Sequence, residues 1–432
     1  MPGSEDAALG AAWCLFYLGR DAEAAAAFSA LGSAGNYGLG LLANRAGDID
    51  RAIDLFTRTG RADVLWLSTG ILEARDRFSD TLPIYLELAR GGSSYADDAA
   101  YRAHVLAGRL GLGEVAAKAR ALIPEGNFFA LRLGSGSLAP DPSTIPATAV
   151  SETDDPELVN VAATIDVAAD VAAAPASTAE ALELAAALYA VHEEDAAVGE
   201  LLFALRRAEE AAATEEVLAL GEMLQSMDEY RHSVSAARGL IAAGVDDLRA
   251  WRLAYPPAWP DIVIGAAEAE GIEPGLIWAV MRQESAFSEV AVSVADAQGL
   301  MQVIPSTWDW IAELRDEQPG DPFDIAANVA YGATYLAWLI DYFDGDMELV
   351  IASYNGGQGY VRRLYESEWV NQDKDEFYRE IDRSETREYL QRVYENLAVY
   401  RTLYPSIADV ERQHYALASA SVDVDMDPAV PQ

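Results

Sequence analysis

One glutamate of this chain stands apart from its other acidic residues. Glu284 lies in the stretch "MRQESAFS", directly after the apolar run "GLIWAV". Ile277, Val280, Met281 and Glu284 are spaced i, i+3, i+4 and i+7, so the carboxylate ends the apolar face of a helix. Because burial disfavours a charge, we expect the pKa of Glu284 to be raised. Such an acid can donate a proton to a leaving oxygen, although a structural glutamate paired with an arginine or with backbone amides fits the spacing too.

Polar and aromatic residues suited to carbohydrate follow this helix. Gly299 permits close approach of the backbone, and Gln302 offers both a donor and an acceptor. Tyr354 and Asn355 precede a glycine-rich turn, and Glu385 opens a further helical stretch, "ETREYLQRVYENLAVY". Aromatic rings stack on sugars and amides bind their hydroxyl groups. This segment is therefore typical of a sugar-binding cleft.

Several other chemistries are disfavoured by what the sequence lacks. No histidine occurs between residues 250 and 404, which argues against a histidine-activated nucleophile or a typical zinc site. There is no phosphate-binding Gly-x-x-x-x-Gly-Lys loop and no CxxC pair, and the single cysteine, Cys14, cannot form an intrachain disulfide. We therefore expect neither a metal ion nor a cofactor.

The charge of the chain limits its partners. Its formal net charge is −40, which would repel nucleic acid and anionic lipid. No apolar run reaches the ~18 residues of a membrane span, and the first residues, "MPGSEDAALG", lack the features of an export signal. The acidic surface fits an arginine-rich lineage or an adaptation to high salt, and composition alone does not separate these two interpretations.

The first part of the chain repeats with a period near 30 residues. "LGRDAEAAAAF" (residues 18–28) returns as "AGDIDRAIDLF" (residues 46–56), with helical spacing in both. A period of this length predicts stacked helical hairpins, an α-solenoid. The predicted organisation is a solenoid over 1–132, a linker or insertion over 133–160, a continued helical superhelix over 161–246, a catalytic domain over 247–405 and a disordered acidic tail over 406–432.

Residues 255–404 resemble the catalytic domain of soluble lytic transglycosylases, which cleave peptidoglycan and have a lysozyme-like fold. The resemblance rests on "RQESAF", "GLMQVIPSTW", "SYNGGQGYVRR" and "ETREYL", in the order of the family. It implies a mainly α chain in which an N-terminal superhelix precedes a lysozyme-like domain, with a short β-hairpin near 290–300. The helical repeats resemble, more loosely, the superhelical region of the large family members.

The resemblance also implies a reaction and the residues that perform it. Glu284 would be the sole acid and base: it would protonate the oxygen between N-acetylmuramic acid and N-acetylglucosamine and then accept the proton of the muramyl C6 hydroxyl. The product would be a 1,6-anhydromuramyl end. The substrate-binding residues that the motifs imply are Ser293, Gln302, Ile304, Tyr354, Asn355, Glu385 and Tyr389. Ser285, beside the acid, fits a helix-capping role as well as a ligand-binding one.

One departure from the family keeps a second reaction open. Asp296 stands where the family commonly has a small residue, and goose-type lysozymes, which are distant relatives, carry aspartates in this region to activate water. A hydrolase therefore remains one alternative. A second is a non-catalytic scaffold, in which the helical repeats bind other proteins and the C-terminal domain only binds glycan. Peptidoglycan lies outside the cytoplasm, so we expect an exported protein, with cell-wall protein partners possible through the helical repeats. Exo or endo cleavage and the oligomeric state do not follow from the sequence.

Overall fold

Helical hairpins form the first part of the protein. The computed structural model describes residues 2–134, 177–407 and 410, and the chain divides into two compact units, one ending at Pro124 and one beginning at Glu125. The helices of the first unit are α1 (Pro2–Tyr17), α2 (Asp21–Ala30), α3 (Asn36–Arg45), α4 (Ile49–Thr57), α5 (Ala62–Glu73), α6 (Phe78–Arg90), α7 (Ala96–Arg109) and α8 (Gly113–Arg120). Each helix packs against the next one along the chain.

The repeat seen in the sequence corresponds to repeated packing. Phe28, Phe56 and Tyr85, which occupy equivalent positions in successive repeats, are all fully buried. The first two rings rest on glycines of α3: a Cβ added at Gly38 would lie 2.4 Å from the Phe28 ring, and one added at Gly40 would lie 2.4 Å from the Phe56 ring. The aromatic residues thus act as the repeated core side chains of the hairpins, which confirms the predicted helical-repeat architecture.

The second unit contains further hairpins and then a larger helical domain. Its first helices are α9 (Phe128–Leu133), α10 (Thr178–Ala190), α11 (Glu194–Glu210), α12 (Thr214–Ser226), α13 (Tyr230–Ala242) and α14 (Leu248–Ala254). The later helices are α15 (Pro260–Glu270), α16 (Pro274–Ser285), α17 (Pro305–Leu314), α18 (Ile325–Tyr342), α19 (Met347–Gly356), α20 (Gln358–Tyr365), α21 (Lys374–Glu380) and α22 (Ser384–Leu403). Nearly all of the predicted linker, residues 161–176 and most of the predicted tail lie outside the described residues.

Helix α9 packs within the second unit. The Phe128 N–H donates to Glu395 Oε1 of α22 at 2.8 Å, and the Phe128 ring lies 5.2 Å from the Tyr378 ring. Arg132 forms a buried ion pair with Glu348 at the start of α19, with 3.1 Å between Nε and Oε1. The predicted end of the solenoid at residue 132 falls inside α9, whereas these contacts place α9 with the later helices.

The proline-rich segment "YPPAWP" is buried throughout residues 255–260. An irregular segment leaves its backbone carbonyls without helix or sheet partners, so other groups must satisfy them. Side chains of the later helices do so here. The bonds run from Tyr404 Oη to Tyr255 O (3.0 Å), Tyr400 Oη to Pro256 O (3.0 Å) and Trp278 Nε1 to Ala258 O (2.8 Å), and Arg282 Nε donates to Ala254 O, the last carbonyl of α14, at 2.9 Å. The segment is therefore built into the core rather than exposed as a linker.

Helix α16 lies at the centre of the later helices. It contacts α22 most extensively, and also α15 and α18. Proline occupies the start of α15, α16 and α17, where its missing N–H costs no hydrogen bond. In the described residues β structure is limited to isolated antiparallel bridges, Val292 with Gln298 and Gln298 with Val303, so the chain is mainly α as predicted. None of the helices described is both long enough and apolar enough to cross a bilayer.

Candidate active site

Glu284 lies in the last turn of α16. Ile277, Val280 and Met281, which share its helix face, are fully buried or nearly so, whereas Glu284 itself is half-buried. The carboxylate therefore sits where the apolar face reaches the surface, as the spacing predicts. The helix ends abruptly after it, because Ala286 and Phe287 have the left-handed φ values of 47° and 64°.

Ser285 ties the end of α16 to the loop that follows. Its hydroxyl lies 2.8 Å from the Leu300 carbonyl oxygen and 3.2 Å from that of Met281, and the residue is 2 % exposed. A buried hydroxyl between two backbone carbonyls is a structural link rather than a ligand group. Of the two interpretations of Ser285, the geometry favours the one in which it finishes the helix.

The loop over residues 288–304 is closed by its own polar groups. Gln302 Nε2 donates to Ala291 O at 3.0 Å and to Gly299 O at 2.8 Å, while Ala297 N donates to Ser293 Oγ at 3.1 Å. Gln302 is buried, and its Oε1 meets no hydrogen-bond partner among the described residues. The amide thus braces the loop from inside, and the Ser293 hydroxyl shapes the turn.

Gly299 is required by a close approach of two chain segments. Its φ is +75°, and a Cβ there would lie 2.2 Å from Asn328 Nδ2 and 2.4 Å from the Pro322 carbonyl oxygen. Neither a left-handed backbone nor this contact admits an ordinary side chain. The glycine therefore lets the loop sit directly on α18.

Asn328 of α18 holds this loop, and the sequence reasoning did not single it out. Its Oδ1 accepts from Met301 N at 2.8 Å, and its Nδ2 donates to Gln298 O at 3.0 Å and to Pro322 O at 2.7 Å. The side chain is 1 % exposed. The one available signal was a lone amide within the apolar stretch "IAANVAYGATYLAWLI", since a buried polar side chain must find partners.

Two tyrosines lie beside the Glu284 carboxylate. The Tyr354 hydroxyl donates to the Met301 carbonyl at 2.9 Å, and the rings of Tyr354 and Tyr389 are parallel with centroids 6.5 Å apart. Burial, and after it the charge of Glu284, raises the pKa of each tyrosine well above its ordinary value. Glu284, Tyr354 and Tyr389 are therefore neighbours, although they come from three different helices.

The Tyr389 hydroxyl lies near the same carboxylate. It is buried, and no described group meets it with ordinary hydrogen-bond distance and angle. Burial raises the pKa of Tyr389 most, and the charge of Glu284 and hydrogen bonding to Glu284 raise it further. Catalytic hydrogen bonds are often long without substrate and tighten when it binds. Since Tyr354 already donates to Met301, Tyr389 is the tyrosine that can donate to Glu284.

Asn355 and Glu385 meet at one edge of this site. Asn355 Nδ2 donates to Glu385 Oε1 at 2.9 Å, and its Oδ1 accepts from Thr386 Oγ1 at 2.7 Å. The approach is close, because a Cβ on Gly356 would lie 2.9 Å from Thr386 Cγ2. The network joins the end of α19 to the start of α22 and leaves the Glu385 side chain at the surface. Thr386 was not predicted.

Two residues of the loop are exposed. Ile304, which precedes α17, is 41 % exposed, so its side chain is available to a ligand. Asp296 is also exposed and has a left-handed φ of 62°, and its Oδ1 accepts from Gln298 Nε2 at 3.2 Å. Within the part of the chain that the structure describes, no three His, Cys, Asp or Glu side chains are grouped so as to hold a metal ion.

The part of the chain that contains this site matches a known protein family. The model of the transglycosylase SLT domain matches residues 261–377. This range contains Glu284, Ser293, Gln302, Ile304, Tyr354 and Asn355 and ends before Glu385 and Tyr389.

Curated relatives match the same part of the chain. A membrane-bound lytic murein transglycosylase C of Yersinia enterocolitica is 38% identical over 119 residues, which is 25% of this chain and 33% of that protein. The enzyme of the same name from Edwardsiella ictaluri is 37% identical over 120 residues, again 25% and 33%. The match thus spans about a third of the length of these relatives.

Two solved structures resemble the chain over more of its length. An inactive mutant of the lytic transglycosylase Slt from Pseudomonas aeruginosa has a TM-score of 0.56 at 21% identity, covering 88% of this chain and 60% of that one. The 70-kDa soluble lytic transglycosylase in complex with bulgecin A has a TM-score of 0.59 at 18% identity, covering 92% and 61%. At these identities the likeness is one of fold, a helical superhelix followed by a lysozyme-like domain.

Proposed function

We propose that this chain, which carries a transglycosylase SLT domain at residues 261–377, is a peptidoglycan lytic transglycosylase. The curated relatives are named lytic murein transglycosylases, and the solved structures of similar fold are lytic transglycosylases. Because peptidoglycan lies outside the cytoplasm, we place the activity in the periplasm or cell envelope. The reaction needs no cofactor.

The proposed reaction uses one carboxyl group twice. Protonated Glu284 donates its proton to the oxygen between N-acetylmuramic acid and N-acetylglucosamine as the bond from that oxygen to the muramyl C1 breaks. The muramyl C6 hydroxyl oxygen then bonds to C1, and its proton returns to the Glu284 carboxylate. The products are a 1,6-anhydromuramyl end and a free N-acetylglucosamine hydroxyl, and no water is consumed. General acid–base catalysis of this kind contributes about 10²–10⁴-fold to the rate.

The arrangement of Glu284 with Tyr354 and Tyr389 is the observation that carries this proposal. Of the described carboxylates, only Glu284 contributes to the raised pKa of both tyrosines. Ordinary glycosidases need two carboxyl groups at set separations. A site with a single carboxylate beside two buried tyrosines suits a reaction in which the substrate brings its own nucleophile. Gln302, which braces the loop, and exposed Ile304 are the residues of this loop that we propose to line the sugar subsites.

The hydrolase alternative depends on Asp296. An aspartate that activates water must be held at a fixed distance from the sugar. Asp296 instead lies on an exposed turn, where its carboxylate accepts a hydrogen bond from Gln298 two residues away. This supports a role in the turn, and hence the non-hydrolytic reaction. The scaffold alternative is disfavoured because binding a glycan does not require a carboxyl group placed beside two buried tyrosines.

Product analysis tests the proposal directly. Purified sacculi are digested with the wild type, Glu284→Gln and Asp296→Asn, and the soluble fragments are identified by mass spectrometry. We expect anhydromuramyl ends from the wild type and Asp296→Asn. Glu284→Gln keeps the size of the side chain but removes the acid, so its turnover should fall at least about 100-fold while its binding to sacculi persists. Reducing ends from the wild type, together with an inactive Asp296→Asn, would establish a hydrolase instead.

A further inference from the structure

The backbone is strained immediately after Glu284. Ala286 and Phe287 both have left-handed φ values, 47° and 64°, and a third such residue, Trp259, has 42°. A left-handed φ is a genuine outlier for a bulky side chain and persists only where the surroundings impose it. Phe287 is 3 % exposed and Trp259 is 8 % exposed. Some group must therefore hold both rings in place.

Tyr230 is that group, and it comes from the helical repeats. It is the first residue of α13 and is 5 % exposed. Its ring lies 4.7 Å from the Trp259 ring and 6.2 Å from the Phe287 ring, measured between centroids. Of the described residues with left-handed φ, the two that carry a large aromatic ring thus both contact Tyr230.

The Tyr230 hydroxyl fixes the position of its ring. It donates to Asp228 Oδ1 at 2.9 Å and accepts from Trp259 N at 3.4 Å. Burial, and after it the charges of Glu229 and Asp228, raises the pKa of Glu289 in the loop after α16. The turn before α13 therefore lies close to that loop. The hairpin of α12 and α13 is therefore a direct neighbour of the segment that follows Glu284.

We propose that Tyr230 is a positioning residue for Glu284: by packing on Trp259 and Phe287, it holds the left-handed turn that ends the catalytic helix. Phe287 is three residues beyond Glu284, so movement of its ring is transmitted to the last turn of α16. The helical repeats thereby complete the active site. The inference rests on the proposed role of Glu284 and assigns Tyr230 no contact with substrate.

The test compares Tyr230→Leu with Tyr378→Leu in the full chain. Tyr378 is a matched control: it is 3 % exposed in the same unit, but its ring packs on Phe128 and Phe129. Release of soluble fragments from purified sacculi gives kcat and KM, measured at least about 10 °C below each melting temperature. We expect Tyr230→Leu to lower kcat at least tenfold with KM within twofold. Tyr378→Leu should keep kcat within twofold of the wild type, even if its melting temperature falls as much as that of Tyr230→Leu.

Conservative and partner variants separate positioning from general stability. Tyr230→Phe keeps both ring contacts and loses only the hydroxyl, so its kcat should stay within threefold of the wild type. Phe287→Leu removes the ring contact from the other side, and it serves if Tyr230→Leu does not fold. Phe287→Leu should lower kcat about as much as Tyr230→Leu does. The double variant Tyr230→Leu with Phe287→Leu should have a kcat only slightly below that of either single variant. The pH profile of kcat should also shift in the Leu variants, because the surroundings of Glu284 change.

If the wild type is active, either of two results would overturn the inference. One is a kcat for both Tyr230→Leu and Phe287→Leu that is within twofold of the wild type. The other is an equal loss of kcat in Tyr378→Leu, which would show a general effect of core damage. Reducing ends from the wild type would refute the transglycosylase reaction and leave this comparison intact. A wild type without any turnover would refute both.

Discussion

Replacing Asn328 by alanine should damage both the stability and the activity of the protein. The change removes an amide that is 1 % exposed and leaves two backbone groups without their partner, Met301 N–H and Pro322 O, while Gln298 O keeps its bond from Val303 N at 3.3 Å. Each buried polar group left unsatisfied costs about 1–3 kcal/mol. Because the loop can relax and admit water, we take the lower end for each of these two groups, which gives about 2 kcal/mol of unfolding free energy.

The activity should fall because the loop supports one wall of the site. The Met301 carbonyl accepts from the Tyr354 hydroxyl, and Tyr354 adjoins Glu284. A displacement of about 1 Å in a positioning group can cost about 10²-fold in rate. We therefore expect a 10- to 100-fold lower kcat for Asn328→Ala. Asn328→Asp should do no better, since it places a carboxylate oxygen against the carbonyls of Gln298 and Pro322.

Urea unfolding and turnover of sacculi measure the two effects of Asn328→Ala separately. Asn127→Ala is a matched control: Asn127 is also a buried asparagine of the second unit, and its Oδ1 caps α9 by accepting from Ala130 N at 2.9 Å. Loss of such a cap costs about 1 kcal/mol and should leave kcat unchanged. The reasoning fails if Asn328→Ala costs less than about 1 kcal/mol, or if its kcat stays within twofold of the wild type.

Two further predictions concern buried charges. Burial, and after it the charges of Glu229 and Asp228, raises the pKa of Glu289 above its ordinary value of 4.5. The neutral side chain therefore stabilises the fold fully below about pH 4.5, and this stabilisation is lost as the pH rises through the folded-state pKa. Glu289→Gln should raise the free energy of unfolding at pH 8 but not at pH 4, and by less than about 1 kcal/mol because the group is only half-buried. An equal gain at both pH values would contradict this. Arg132→Met should cost about 3–5 kcal/mol because it leaves Glu348 buried without its partner, and adding Glu348→Leu should recover most of that loss in urea unfolding; a double variant as unstable as the single one would refute the argument.

The features that sequence reasoning predicted well are local. The repeat of Phe28 and Phe56 was visible because helical packing imposes a regular spacing on the side chains it buries. The face of α16 was visible for the same reason, and it identified Glu284 before any relative was considered. The motif pieces added Tyr354 and Tyr389, which the structure brings together with Glu284.

The features that it missed depend on contacts between distant parts of the chain. Asn328 acts on Met301, 27 residues away, and Tyr230 acts on Trp259, 29 residues away. Spacing reports which face of a helix is apolar, but it does not report which loop lies on that face. The packing of α9 on the later helices was not predicted for the same reason, since Glu395, which binds the first residue of α9, lies 267 residues further along the chain.

The two carboxylates that compete for a role in this site differ in how firmly they are held. One acid can carry both proton transfers only if its carboxylate keeps its position while the sugar rearranges. Glu284 meets this condition because α16 is buried behind it, Ser285 fixes the helix end to Leu300 and two buried tyrosines lie beside it. Asp296 lies on an exposed turn with a neighbouring side-chain amide as its partner. Glu284 is held in place and Asp296 is not, so Asp296 is poorly suited to position a water molecule. This difference favours the reaction in which the substrate supplies the nucleophile.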